Sequence, residues 1–363
     1  MNSQVVAAFI AASVSVLTLI GTLAAQYFGR RATSRDTEKT LGEQGKHLDR
    51  TLAEQREQLD RTLAEQRTRT LNERFATAAD QLGSDKPAVR LAGVYAMAGL
   101  ADDWEEKQPK NRQTCVDVLC AYLRMPYEPD PGQDAPEPQR LAFQAIREVR
   151  HTVIRVITAH LKKDAAVSWQ GLNFDFTGVV FDGGDFGLAQ FSGGKVDFYR
   201  AQFSGGAVDF YRAQFSGGAV RFGFAQFSGG RVDFGGGEFS GGAVDFGCAE
   251  FSGGAVDFGG AEFSGGTVDF DGAQFSGGRV DFGGGEFSGG AVDFGTAEFS
   301  GGTVDFGGSQ FSGGTVRFGT AEFSGGEVDF SRAGVWSYPP EFPWTDTPPS
   351  GVKLQRKEDQ SQA

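Results

Sequence analysis

The stretch Phe203-Ser204-Gly205-Gly206-Ala207-Val208-Asp209-Phe210-Tyr211-Arg212-Ala213-Gln214-Phe215-Ser216-Gly217-Gly218 decides how the chain folds. Its block Phe-Ser-Gly-Gly-x-Val-Asp-Phe-x-x-Ala-Gln/Glu returns every twelve residues from Phe191 to Phe323, giving twelve Phe-Ser-Gly-Gly copies. A fixed internal period of this size marks a solenoid, in which each unit stacks on the next. Two short units lie inside each block, Ala-Gln/Glu-Phe and Val-Asp-Phe. In both, an apolar residue stands two places before a phenylalanine with a polar residue between, which turns the apolar pair inward and the polar residue to solvent. Phe191, Phe198, Phe203, Phe210, Phe215, Phe234, Phe246, Phe258 and Phe270 are therefore placed in an inward core. Burying each is worth roughly 1.5–3 kcal/mol, which offsets the entropy of ordering a glycine-rich backbone. The paired glycines suit corners that need positive φ. Phe224 stands outside the inward register and faces solvent or a partner.

The lead-in shows the basic unit. Phe176, Phe181, Phe186 and Phe191 are five apart, with Phe174, Val179, Gly184 and Ala189 two places ahead of them. Units such as Val208-Asp209-Phe210 and Ala213-Gln214-Phe215 resemble the motif of the pentapeptide-repeat proteins, Ala-Asp/Asn-Leu/Phe-x-x. The resemblance covers Leu172 to Ala333 and recurs more than twenty times. It implies a mainly β fold, a right-handed quadrilateral β-helix with the central phenylalanine and the residue two before it inside. This chain departs from the motif by two extra residues in alternate units, Ser-Gly-Gly-x. On the four-sided plan one coil then takes 24 residues, and about seven coils at ~4.8 Å make a rod on the order of 33 Å long. A thinner coil of twelve residues is the alternative. The layout of anchor, coiled coil, helical domain and repeats also looks like that of bacterial membrane-associated members of the family.

The 363 residues leave room for several domains, read here as 1–29, 30–75, 76–165, 171–335 and 336–363. With 3 Cys and 3 His, the chain is a poor candidate for a structural zinc site, a haem, a thiol enzyme or a disulfide scaffold. No cofactor is expected. The Gly-Gly pairs recur too regularly for a single phosphate-cradling loop, the repeated aspartates are too uniform for a catalytic pair, and the repeated serines lack a neighbouring histidine. No catalytic or metal-binding residue is therefore assigned.

From Val5 to Ala25 no residue is charged, and 21 helical residues span roughly 31 Å, about the thickness of a bilayer core. Val5, Phe9, Leu17, Ile20 and Ala25 are read as a membrane-spanning helix, the competing reading being a signal peptide cut near Ala24 and Ala25. Arg30, Arg31 and Arg35 follow the span with nothing basic before it, so the positive-inside rule puts the N-terminus outside and the bulk of the chain in the cytoplasm. Next, Leu48-Asp49-Arg50-Thr51-Leu52-Ala53-Glu54-Gln55-Arg56 returns unchanged at Leu59 to Arg67, a period of eleven. Leucines at 41, 48, 52, 59 and 63 keep to one narrow helical stripe. A second copy of the same helix is the expected partner, making a homo-oligomer; a solitary helix laced with Glu–Arg pairs is the alternative.

Residues 76–165 read as a small helical domain. Ser84 or Asp85 caps a helix with Pro87 in its first turn, a second helix holds Cys115 to Leu123, and prolines at 126, 129, 131, 136 and 138 make an exposed linker over 125–139. A third helix over 139–163 offers Leu141, Phe143, Ile146, Val149, Val153, Ile154 and Ile157 to the core. His151 and His160 point apart on it, and Cys115 and Cys120 read as packing residues. The tail from Trp336 reads as disordered at its end, with Val335, Trp336, Tyr338 and Trp344 able to cover the last coil.

The net charge is −13, and all of it lies between Gly171 and Val335, where 21 acidic residues face 8 basic ones. Direct nucleic-acid binding is therefore not expected. Asp197, Asp209, Asp233, Asp245, Asp257, Asp269, Asp281, Asp293 and Asp305 are the candidate acidic interaction face, with Arg221 and Arg317 interrupting the columns. The functional expectation is a membrane-anchored scaffold presenting this surface to a protein partner. The alternative follows from family members that resemble duplex DNA in size and charge, and is a DNA mimic that inhibits a topoisomerase such as gyrase.

Overall fold

A computed structural model describes the backbone of residues 3–104, 109–345 and 347–355, and the side chains of 21–26, 43–104, 110–345 and 347–355. The chain divides into two compact units, Met1–Asn72 and Glu73–Ala363. The first unit belongs to a single helix, α1 (Ser3–Leu82), whose last turns lie in the second unit. Neither Gly42 nor Gly45 interrupts it. Leu48, Leu52, Leu59 and Leu63 are 42–60% exposed. Of the expected span, Val5, Phe9, Leu17 and Ile20 lie outside the residues whose side chains are described, and Ala25 lies within them. Among the described residues, no helix is long and apolar enough to cross a membrane.

The second unit begins with three further helices, α2 (Pro87–Asp103), α3 (Pro109–Arg124) and α4 (Glu137–Leu161). The N-cap of α2 is Lys86, without a side-chain cap, so neither Ser84 nor Asp85 takes that place; the Ser84 hydroxyl instead accepts the Lys86 amide at 3.2 Å. Val94, Met97, Leu100, Val116, Leu119, Leu123, Val149, Val153 and Ile157 form the helical core. Leu141 and Ile146 do not join it and are exposed, because the first turns of α4 face the proline-rich segment, where Phe143 stacks on Tyr127 at 5.6 Å.

The solenoid follows. Equivalent residues pair 24 apart in parallel register, as in Phe191↔Phe215, Val196↔Val220, Phe203↔Phe227 and Val208↔Val232. One coil is therefore 24 residues with four short strands, and the twelve-residue alternative is excluded. The strands form an eleven-stranded, a seven-stranded and an eight-stranded sheet. The first carries two ladders, because the strands Gln190–Asp197 and Gln214–Arg221 run across the corner between them. At the start, Phe174 pairs with Val196 and Phe181 with Phe203, a step of 22, since the lead-in lacks the inserted residues at one corner.

The named core phenylalanines are 0–2% exposed. Along each column the rings stack face to face, as Phe203 on Phe227 at 4.8 Å and 1°; across the axis they meet edge to face, as Phe222 and Phe234 at 5.6 Å and 87°. Both arrangements suit the aromatic quadrupole. A ring every five or seven residues, with a buried valine or alanine two places before it in most units, therefore packs the interior.

Both ends of the solenoid are covered. At the N-terminal end the helices satisfy the edge backbone: Arg124 donates to the Asp175 carbonyl at 2.8 Å, Arg150 to the Val180 carbonyl at 2.8 Å, and Thr158 to the Asp185 carbonyl at 2.7 Å. At the other end residues 334–345 and 347–353 follow the coil path irregularly. Trp336 lies edge-on to Phe311 at 5.1 Å, Phe342 stacks on Phe318 at 5.3 Å, Trp344 meets Phe323 at 5.1 Å, and Val352–Lys353 pairs with Val328–Asp329. Tyr338 is exposed. Helices and aromatics thus blunt edges that would otherwise template further strands.

Candidate interaction surface

The nine aspartates named from the sequence divide between two ladders half a coil apart. Asp197, Asp245, Asp269 and Asp293 stand on one, and Asp209, Asp233, Asp257, Asp281 and Asp305 on the other. They do not share one face. The glutamates and glutamines occupy the remaining two ladders, exemplified by Glu238↔Glu262 and Glu250↔Gln274.

Each of these aspartates also has a local task. Its Oδ1 accepts the amide of the residue two places on, for example Tyr199 to Asp197 at 3.1 Å, Gly235 to Asp233 at 2.8 Å, Gly259 to Asp257 at 2.8 Å and Asp271 to Asp269 at 2.8 Å. These are Asx turns, which satisfy a corner amide that the ladder cannot reach. The repeat places Asp where a strand must end, so the turn explains its regularity. Replacing Asp257 by alanine is expected to lower stability by about 1 kcal/mol, and by asparagine by less, since the amide oxygen can still accept. Thermal melts of the two variants check this; equal losses would contradict it.

Arginines relieve the columns. Arg231 bridges Asp233 and Asp257, both at 2.8 Å, and Arg221 pairs with Asp197. Burial alone would raise the Asp197 pKa, but hydrogen bonds from Arg221, Lys195 and the Tyr199 amide hold it below the ordinary value. Asp269 keeps the Asp271 amide but, among the described residues, has no cation beside it. Burial, and then the charges of Asp245, Asp271 and Asp293, push its carboxyl up.

Two corners stand apart. The sequence Phe-Tyr-Arg-Ala-Gln-Phe occurs at Phe198 and again at Phe210, where later coils carry glycines. Arg200 lies 5.2 Å from the Tyr199 ring centre and Arg212 5.3 Å from that of Tyr211. Both arginines have positive φ, as do Leu188, Phe224 and Cys248, whereas most equivalent positions in later coils are glycine. Sequence reading flagged Phe224 alone. The duplicated Tyr-Arg pair was the available signal for the rest.

Two of the three histidines, His151 and His160, sit at the junction of helices and solenoid, paired with separate aspartates. His151 Nε2 is 3.0 Å from Asp182 Oδ1, and Asp182 Oδ2 accepts the Tyr127 hydroxyl at 2.7 Å. His160 Nε2 is 3.0 Å from Asp102 Oδ2, its Nδ1 is 2.7 Å from the Val156 carbonyl oxygen, and its ring stacks on Trp169 at 4.0 Å. The Trp169 indole donates to the other Asp102 oxygen at 2.8 Å. Both ring nitrogens of His160 face acceptors, an arrangement that favours the imidazolium over the neutral ring. Burial opposes that charge, but the hydrogen bonds to Asp102 and the Val156 carbonyl outweigh burial and Arg112, and the pKa lies above the ordinary 6.5. For Asp102, burial is overcome by His160 and Trp169, and its pKa lies below 3.8. A raised histidine pKa stabilises fully below 6.5 and is lost as pH rises through the folded value; a lowered aspartate pKa stabilises above 3.8 and is lost as pH falls through its folded value. The melting temperature is thus expected to fall as pH is raised above 6.5. His160→Gln should flatten that dependence, and an unchanged slope would count against the pairing.

Burial pushes the Cys115 thiol up to about 11 and the Cys120 thiol up to about 12, so both are inert packing residues. Among the described residues, no group of three or more His, Cys, Asp or Glu side chains is disposed to hold a metal ion. What the fold defines is a parallel β-solenoid of about seven coils preceded by helices, consistent with a pentapeptide-repeat fold. No known protein family matches the chain, and no curated protein or solved structure does either.

Proposed function

We propose that the protein is a scaffold for protein partners, anchored in a membrane through Val5 to Ala25 and self-associated through the leucine stripe of α1. The right-handed, four-sided cross-section of the pentapeptide-repeat proteins is part of this reading. One observation carries it: coils of identical spacing place successive outward side chains in register on every ladder, as Glu238↔Glu262 and Asp257↔Asp281 do. A solenoid of this kind offers an extended, rigid surface, which is how repeat proteins bind other chains. The leucine stripe supports self-association, since Leu48, Leu52, Leu59 and Leu63 are exposed in a stretch of α1, residues 43–70, that otherwise has only alanines among its apolar side chains.

The DNA-mimic reading has weaker support. It needs free carboxylate columns, whereas the aspartates have one oxygen committed to a corner and several have an arginine on the other.

Proximity labelling from the full chain in cells, compared with a chain lacking 171–335, tests the scaffold. A set of neighbours that depends on the array is expected, and identical sets from both chains would overturn it. Carbonate extraction and cross-linking of the full chain test the anchor and the oligomer: release into the supernatant, or a monomer only, removes the corresponding part.

A further inference from the structure

We infer that the two Tyr-Arg corners, half a coil apart near the start of the solenoid, are equivalent docking points for acidic segments of a partner protein. The inference deepens the scaffold reading by naming where the partner sits and what chemistry it brings.

Charge sets the location. Residues 171–231 hold five acidic and five basic residues, while 232–335 hold sixteen acidic and three basic. The first third of the solenoid is neutral and the rest carries the whole of the −13. Six of the eight array cations are ion-paired: Lys195 and Arg221 with Asp197, Arg231 with Asp233 and Asp257, Arg279 with Asp281, Arg317 with Glu341 and Arg332 with Asp305. Among the described residues, Arg200 and Arg212 form no ion pair, and each guanidinium lies over the neighbouring tyrosine ring. A guanidinium held over a ring keeps its fork of donors free and preorganised for a carboxylate.

Each corner adds apolar surface in the same αL column. Phe224 stands one coil after Arg200, is 49% exposed, and meets the Tyr199 ring at 5.5 Å. Leu188 stands one coil before Arg212 and is 53% exposed, beside Tyr211 at 45%. All four of Leu188, Arg200, Arg212 and Phe224 have φ of 55–62°, a region that costs a side-chain-bearing residue energy and that glycine occupies freely. The fold does not ask for these side chains. In later coils Gly236, Gly260, Gly284 and Gly308 adopt the same conformation at the Arg212 position, and Gly272 does so at the Arg200 position. Strain kept at exposed positions, where the two arginines and their tyrosines are residue types enriched in interface hot spots, is the pattern of a binding surface.

The unpaired arginines call for an anion, and the neighbouring field restricts its size. Two coils span about 10 Å, roughly one Debye length, so a short acidic segment stays over the neutral third. A duplex or an anionic membrane extends across the acidic coils and is repelled.

The test titrates the full chain with a fluorescein-labelled peptide of glutamates flanking a phenylalanine, at low salt, with short duplex DNA as the second probe. Saturation at two peptides per chain is expected, with one site lost in either Arg200→Gly or Arg212→Gly. The double variant should bind about tenfold more weakly or worse. Its melting temperature should equal or exceed that of the parent, because glycine is already native to the position. Absent peptide binding, unchanged binding in the double variant, or duplex binding that depends on these arginines would each overturn the proposal. Because this readout needs no cell, it can fail while array-dependent labelling stands, or stand while labelling fails.

Discussion

Replacing Phe246 by alanine is expected to destabilise the solenoid by about 3–5 kcal/mol, the range for emptying a large aromatic site in a packed core. Its ring is fully buried and lies between Phe222 at 4.7 Å and Phe270 at 4.8 Å, with Phe234 and Phe258 edge-on at 5.8 and 5.7 Å. The cavity cannot collapse easily, because each neighbouring ring is itself held in a column and each short strand is bonded to the coils above and below. Repeat proteins propagate stability through nearest neighbours, so the loss should centre on the coils around Phe246. Denaturant unfolding gives the total. Hydrogen exchange gives the location: the Phe222 amide, bonded to the Asp245 carbonyl, and the Phe246 amide, bonded to the Asp269 carbonyl, should lose protection first. A loss below about 1 kcal/mol with uniform protection would mean that the column is not a packed core.

The second large effect is expected at a corner, and it is a contrast between two glycines with nearly the same φ. Gly278 has φ +70°, and a Cβ there would stand 2.6 Å from the Gly254 carbonyl oxygen and 2.8 Å from the Gly253 carbonyl carbon. That oxygen accepts the Arg279 amide at 3.0 Å, so it cannot retreat without breaking a ladder bond. Gly278→Ala should therefore cost about 3 kcal/mol, the αL penalty of roughly 1–2 kcal/mol plus the clash. Gly260 has φ +64° with no atom within 4 Å of its Cβ position. There only the conformational penalty applies, about 1 kcal/mol. Melting temperatures of the two alanine variants decide it, and equal losses would show that backbone conformation alone governs both corners. The contrast separates the inserted Ser-Gly-Gly corners, where chain packs on chain, from the open Gly-Gly corners. The Tyr-Arg pairs occupy open corners of this second kind, which is why the fold tolerates them.

The phenylalanine period, the β-solenoid and the polar columns were legible in the sequence because a stacked repeat depends on neighbours at a fixed spacing, and spacing is what a sequence displays. The Val-Asp-Phe and Ala-Gln-Phe alternation sufficed to place Phe191, Phe198 and Phe203 inside. The task of the aspartates was not legible. Asp257 next to Phe258 looks like any outward carboxylate until the corner brings the Gly259 amide to its Oδ1. The pairing of His160 with Asp102 was hidden for another reason: 58 residues separate the partners, and only the packing of α4 against α2 brings them together.

The sequence by itself determined the repeating core, the neutral and acidic parts of the array, and the leucine stripe of α1, since each follows from residue type at regular intervals. The tertiary structure alone decided that a coil takes 24 residues, that the candidate aspartates part onto two ladders, that helices and aromatic rings close the two ends, and that Arg200 and Arg212 have no acidic partner among the described residues. These depend on hydrogen bonds and ion pairs between residues from 2 to some 60 positions apart, whose energies are set by three-dimensional proximity and leave no period in the chain.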